Sequence, residues 1–220
     1  MKAPFQNFFL KYTLMGIVVL MSLVLGIFFF QKTYTSEKFD LTQLHGTYIP
    51  GGRPMPAFKL TSTEGETLLP RDFVGHWSLL YFGFTQCHSI CPAAMAEMHK
   101  MNVILHHSAN IKTYPQVFMI SLDPARDTMA SLGQYVKGFD KDFKGAIGSP
   151  EMIRQLSQHL GIVYDSQARK DGQIDHSGTI TVINPAGEVA AFFTPPLNAQ
   201  LMADDLELLS HHFEANKDHL

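Results

Sequence analysis

Gly83-Phe84-Thr85-Gln86-Cys87-His88-Ser89-Ile90-Cys91-Pro92 holds both cysteines of the 220-residue chain. An apolar run, Ser78 to Phe84, leads into the stretch, and a helical pattern leaves it at Pro92. Proline suits a first helical turn because its missing N–H has no partner there anyway. The two thiols therefore sit at a strand-to-helix junction. Four residues apart, they turn toward one side wherever the loop is already helical, within reach of each other or of one ion. The free N–H groups of a helix start favour thiolate, the form that attacks disulfides and binds soft metal.

Downstream, Ala94, Met95, Met98, Met101, Val103 and Leu105 recur at a helical period, and Val117 to Ile120 reads as a second buried strand. A right-handed strand, helix, strand crossover makes the two strands parallel, the kernel of an α/β sheet. Upstream, Phe58 to Thr61 and Thr67 to Leu69 flank Thr63-Glu64-Gly65 as a short hairpin. Thr128 to Gly138 and Pro150 to Leu160 read as further helices. Gly178 to Asn184 and Glu188 to Phe193 are β-rich runs joined by the turn Pro185-Ala186-Gly187, and a last helix covers about Asn198 to Phe213.

With 45% hydrophobic residues, the chain fills one domain and an appendage. A formal net charge of -3, with no Lys/Arg cluster outside the N-terminus, speaks against nucleic-acid binding. Two cysteines are too few for a disulfide scaffold or a four-cysteine zinc site. Thr13 to Phe30 carries no charge and matches the thickness of a bilayer core, so 13–30 is expected to be a transmembrane anchor behind the N-terminal segment 1–12. Its end, Ile27-Phe28-Phe29-Phe30-Gln31-Lys32, lacks the small-residue cleavage site of a secretory signal. Residues 31–55, closing with Pro50-Gly51-Gly52-Arg53-Pro54-Met55, read as a linker or an edge segment, 56–213 as the domain, and 214–220 as a tail.

Three motifs stand in order: Tyr81-Phe82-Gly83-Phe84-Thr85 before Cys87-x-x-x-Cys91-Pro92, then Ser121-Leu122-Asp123-Pro124-x-x-Asp127-Thr128, then Asp175-His176-Ser177. In these the chain resembles the Sco/SenC family, membrane-anchored copper chaperones of thioredoxin-like fold that assist cytochrome c oxidase assembly. The similarity runs from about Pro56 to Leu209. It implies an α/β thioredoxin-like sheet flanked by helices, behind an N-terminal transmembrane helix. It also implies maturation of the binuclear copper centre of cytochrome c oxidase subunit II, with other copper chaperones or thiol reductants as further partners. The resemblance also puts the domain outside the cytoplasm and 1–12 inside it; because the N-terminus lacks an Arg- and Ser-rich mitochondrial presequence, the expected place is a bacterial inner membrane with the domain in the periplasm.

Copper, as Cu(I) or Cu(II), would take Cys87, Cys91 and one histidine, because Cu(I) prefers thiolate and imidazole suits both states. Of 11 histidines, His176 matches the family's Asp-His pair and precedes the strand from Gly178, where a thioredoxin-like loop faces the cysteines. His88, between the cysteines, is the rival ligand; the family commonly has proline there, so loop rigidity is altered. Asp175 is expected to orient His176 or to cap a turn. In Asp123-Pro124-Ala125-Arg126-Asp127-Thr128 the aspartates and the threonine read as turn and helix-cap residues, and Met95, Met98, Met101 and Trp77 as core.

A second reading is a thiol-disulfide oxidoreductase, with Cys87 attacking and Cys91 resolving. The three-residue spacing and the facing histidine favour metal holding. A peroxiredoxin-type peroxidase has Thr85 in its favour but no arginine close in sequence.

Overall fold

The structure is a computed structural model that describes residues 4–34, 43–108, 114–165 and 171–216, with the side chains of the first helix described over 12–28. The chain divides into two compact units, Met1–Asp40 and Leu41–Leu220.

The first unit holds helix α1, Pro4–Tyr34, of 31 residues. Its described apolar side chains face outward, Leu20 at 67% and Phe28 at 65% exposure. Among the described residues, no helix is long and apolar enough to cross a membrane. The expected span 13–30 extends past the side chains described, and much of the expected linker and the end of the C-terminal tail lie outside the described residues.

The second unit is a mixed eight-stranded sheet. Its strands are β1 Thr47–Pro54, β2 Leu60–Ser62, β3 Thr67–Leu68, β4 Ser78–Gly83, β5 Gln116–Ser121, β6 Lys144–Ile147, β7 Ile180–Ile183 and β8 Glu188–Phe193. They lie in the order β1-β8-β7-β4-β5-β6-β2-β3. As the crossover rule requires, β4 pairs parallel with β5 and β5 with β6. The hairpin β7–β8 closes antiparallel on β4. Among the described residues, four α-helices complete the unit: α2 Ile90–His107, α3 Met129–Lys137, α4 Pro150–Leu160 and α5 Ala199–Asn216.

Strand β4 is buried along its whole length because both of its faces are covered. Leu79 and Tyr81 point to the side that holds α2 and α5, where Met95, Met98 and Met101 are fully buried. Leu80 and Phe82 point to the opposite side, against Phe118, Ile153, Leu156 and Leu160. Each such side chain contributes about 1.5–3 kcal/mol by leaving water. Trp77 also packs in the core, edge-on to Phe213 at 5.9 Å.

For Thr47–Pro54 the edge alternative holds, while β6 and Val103 differ from expectation. Thr47–Pro54, within the expected linker, is an edge strand antiparallel to β8, so the ordered domain starts before residue 56. An edge tolerates Pro50 and Pro54, and a bulge between Tyr48 and Arg53 takes up Gly51 and Gly52 at φ 77° and 69°. Strand β6 lacks the apolar run that marks a buried strand, and Val103 is 43% exposed on α2 rather than part of its apolar stripe.

Candidate metal centre

The junction after β4 is built by close approach. A Cβ at Gly83 would stand 2.9 Å from Cys91 Sγ, from Met119 Cε and from Tyr81 Cε1, so glycine is what lets the first turn of α2 settle on the strand end. That helix begins at Ile90, two residues before Pro92, which puts Cys91 inside the first turn. Its backbone N–H has no helical partner and points to Cys87 Sγ at 3.4 Å. Cys87 itself ends a turn, its N–H donating to the Phe84 carbonyl at 3.2 Å.

His176 arrives from the loop before β7. This loop is pinned to residues 163–165: Asp165 N–H donates to the Asp175 carbonyl at 2.8 Å, and Ser177 N–H to the Val163 carbonyl at 3.0 Å. The imidazole stands edge-on to Tyr81 and Phe84, with ring centroids 5.9 and 6.1 Å away, and its Nε2 lies 3.3 Å from Cys91 Sγ. Cys87, Cys91 and His176 bring their ligand atoms within 4.8 Å of one another, the one such cluster of three among the described residues.

Both thiols are free, Cys91 fully buried and Cys87 7% exposed. They divide one proton between them. A hydrogen bond from the Cys91 thiol, then the backbone N–H groups of Ser89 and Cys91 and the His176 ring, hold Cys87 down at about 4 against the opposing effect of burial. That same thiol pairing and burial push Cys91 well up. The pair is thus poised as one thiolate and one thiol. Bond lengths of about 2.0–2.3 Å from nitrogen and sulfur to a metal let three donors so spaced surround one ion.

Two charged or amide side chains lock the loops together, and neither stood out in the sequence. Gln173 Nε2 donates to the Gln86 carbonyl at 3.0 Å, and Gln173 Oε1 accepts the His88 N–H at 3.4 Å. Arg126 binds the Asp123 carboxylate and donates to the Gly172 carbonyl at 2.8 Å. It also reaches Gln86 Oε1 at 3.5 Å, so an arginine distant in sequence does approach the cysteine loop.

Some expectations need correction. His88 is exposed and lies against Gln173, its Nδ1 3.3 Å from Nε2, outside the three-residue cluster. The buried Nδ1 of His176 has no hydrogen-bond partner, so Asp175 does not hydrogen-bond the ring at that nitrogen. Asp127 is no helix cap. Thr128 takes that duty, accepting from Ser131 N–H, while Asp127 gathers Thr85 and Ser121 around its buried carboxylate.

Fold and site together define a thioredoxin-like protein with a cluster of two thiols and one imidazole at the end of its central strand. The SCO1/SenC family model matches residues 47–211, and the chain belongs to that family. The mitochondrial SCO2 homologue of Danio rerio is 34% identical over 155 residues, covering 68% of this chain and 54% of that protein. The mitochondrial SCO1 homologue of Homo sapiens is 32% identical over 149 residues, covering 64% of this chain and 48% of that protein. The chain spans about half the length of these curated relatives. The crystal structure of Arabidopsis thaliana ScoI with copper bound superposes with a TM-score of 0.67 at 25% identity, covering 71% of this chain and 98% of that one.

Proposed function

We propose that the chain binds one copper ion through Cys87, Cys91 and His176 and delivers it to the binuclear copper centre of cytochrome c oxidase subunit II. The observation that carries this is His176 Nε2 at 3.3 Å from Cys91 Sγ, with Cys87 completing a cluster inside 4.8 Å. Membership of the SCO1/SenC family and copper in the Arabidopsis thaliana relative support it.

The chemistry follows from the donors. Cys87 is already the thiolate that a soft ion meets first, and Cys91 gives up its proton as the ion settles. Two thiolates hold Cu(I); His176 adds the nitrogen that Cu(II) requires. Delivery proceeds by ligand exchange to a partner's thiolates, and the 7% exposure of Cys87 makes it the sulfur from which exchange starts. His176→Ala is expected to weaken Cu(II) binding far more than Cu(I) binding. Equal loss of both, or no loss, contradicts the ligand set.

The division of one thiolate and one thiol supports a second reading, reduction of the partner's disulfide. Cys87 thiolate would attack one partner sulfur, and Cys91 would resolve the mixed disulfide, leaving a Cys87–Cys91 disulfide and two partner thiols. A thiol reductant would then restore the pair.

Helix α1 serves in this reading as the membrane anchor. The uncharged, almost wholly apolar sequence 13–30, which runs past the side chains described, supports this, as do the exposed apolar side chains within 12–28. The domain then works from the periplasmic face of a bacterial inner membrane, beside its partner and the donors or reductants that serve it.

A further inference from the structure

Tyr81 is fully buried, and its hydroxyl has no hydrogen-bond partner. Burying a phenol unpaired costs free energy, so such a group in a native core calls for an explanation, a redox or metal-site role among them. The surroundings of Tyr81 supply one. Tyr81 lies on β4 two residues before Gly83, and its ring carbon Cε1 and Cys91 Sγ both approach within 2.9 Å of one point, the place a Gly83 Cβ would occupy. The ring also stands edge-on to His176 at 5.9 Å.

A thiol is a poor acceptor and a thiolate a good one. We propose that Tyr81 is a positioning residue whose hydroxyl donates to the Cys91 sulfur once that sulfur binds metal, and that this bond tilts the site toward Cu(I). The inference rests on the copper reading above. A hydrogen bond to a metal-bound sulfur draws electron density from it, and Cu(II) depends more on that donation than Cu(I) does. Tyr135, on α3, has a buried hydroxyl without a partner as well. It serves as the comparison, because it stands on α3 and not on the strand that ends beside Cys91.

The test uses the full chain in detergent, unaltered and as Tyr81→Phe and Tyr135→Phe, with Cu(I) and Cu(II) affinities, the thiolate-to-Cu(II) absorption band and the copper reduction potential as readouts. Tyr81→Phe is expected to raise the ratio of Cu(II) to Cu(I) affinity about tenfold, or about 1.4 kcal/mol, and to move the band to longer wavelength. Tyr135→Phe is expected to leave both near the unaltered values. A Tyr81→Phe chain that matches the unaltered one overturns the inference alone, and equal shifts in both variants overturn it in favour of a general polarity effect. An unaltered chain that takes up no copper overturns both this inference and the copper reading. Proton NMR of the unaltered, Cu(I)-loaded chain gives a check that needs no substitution. An exchange-protected phenolic proton is expected on loading, and its absence counts against the bond.

Discussion

The Asp127 carboxylate accepts the Thr85 hydroxyl at 2.6 Å, joining the cysteine loop to the segment after β5. It also accepts the Ser121 hydroxyl at 2.6 Å and the Thr85 N–H at 3.2 Å, so one buried charge fixes the ends of two parallel strands. Thr85 lies two residues before Cys87, and the position of that sulfur depends on this knot.

Asp127→Ala leaves those three donors without their acceptor in a nearly dry site. The expected cost is about 3 kcal/mol, and copper affinity falls with it because the Cys87 loop loses its tie. Urea unfolding and copper titration check both. A variant of unchanged stability contradicts the role given to the knot.

Gly83→Ala tests the close approach of strand and helix. Gly83 is not among the glycines with positive φ, so the backbone accepts alanine, and the effect comes from a methyl set 2.9 Å from Cys91 Sγ, Met119 Cε and Tyr81 Cε1 alike. Displacement of that sulfur should cost about 1–3 kcal/mol of stability and weaken both copper states. Full copper affinity in a folded Gly83→Ala chain would show that the sulfur has room the structure denies it.

Gln173→Ala removes the contacts from the His176 loop to Gln86 and His88. Both are near the surface, so stability should change by no more than about 1 kcal/mol. Cu(II) affinity should nevertheless drop several-fold, since His176 is no longer held ready, while Cu(I) affinity falls less. Isothermal titration with each state decides, and parallel losses contradict the argument.

The thiol pair makes the stability of the reduced, metal-free chain depend on pH. Cys87 titrates at about 4 when folded against an ordinary 9.0, so between those values the unfolded chain holds the extra proton and stability rises with pH. This contribution is complete above 9.0 and is lost as pH falls through about 4. Cys91 is shifted the other way, so above its ordinary value the folded chain holds the extra proton and stability falls. Urea midpoints should therefore peak near the ordinary thiol value, and Cys87→Ser should flatten the rising limb.

The parts of this arrangement that were legible in the sequence are those carried by apolar pattern and motif. Ser78 to Phe84 and Val117 to Ile120 read as adjacent buried strands because both are apolar on two faces, and they pair parallel. His176 could be placed because it precedes the strand that closes on β4. Strand β6, Lys-Gly-Ala-Ile, has too little apolar surface to stand out, since Gly145 is there to make room for Leu132 and Thr63. β1 was obscured by its prolines and paired glycines, which only an edge permits. Asp127 and Gln173 were misread or missed for one reason: each acts on residues far along the chain, 42 positions for Thr85 and 87 for Gln86. Local turn chemistry at Asp127 hid its long-range contacts.

The most direct measurement is anaerobic titration of the reduced chain with copper, following stoichiometry and the thiolate-to-Cu(II) band, beside Cys87→Ser, Cys91→Ser and His176→Ala. The account predicts one copper per chain, loss of tight binding in both serine variants, and loss of the Cu(II) band with Cu(I) largely retained in His176→Ala. Stoichiometric copper retained by either serine variant would contradict it.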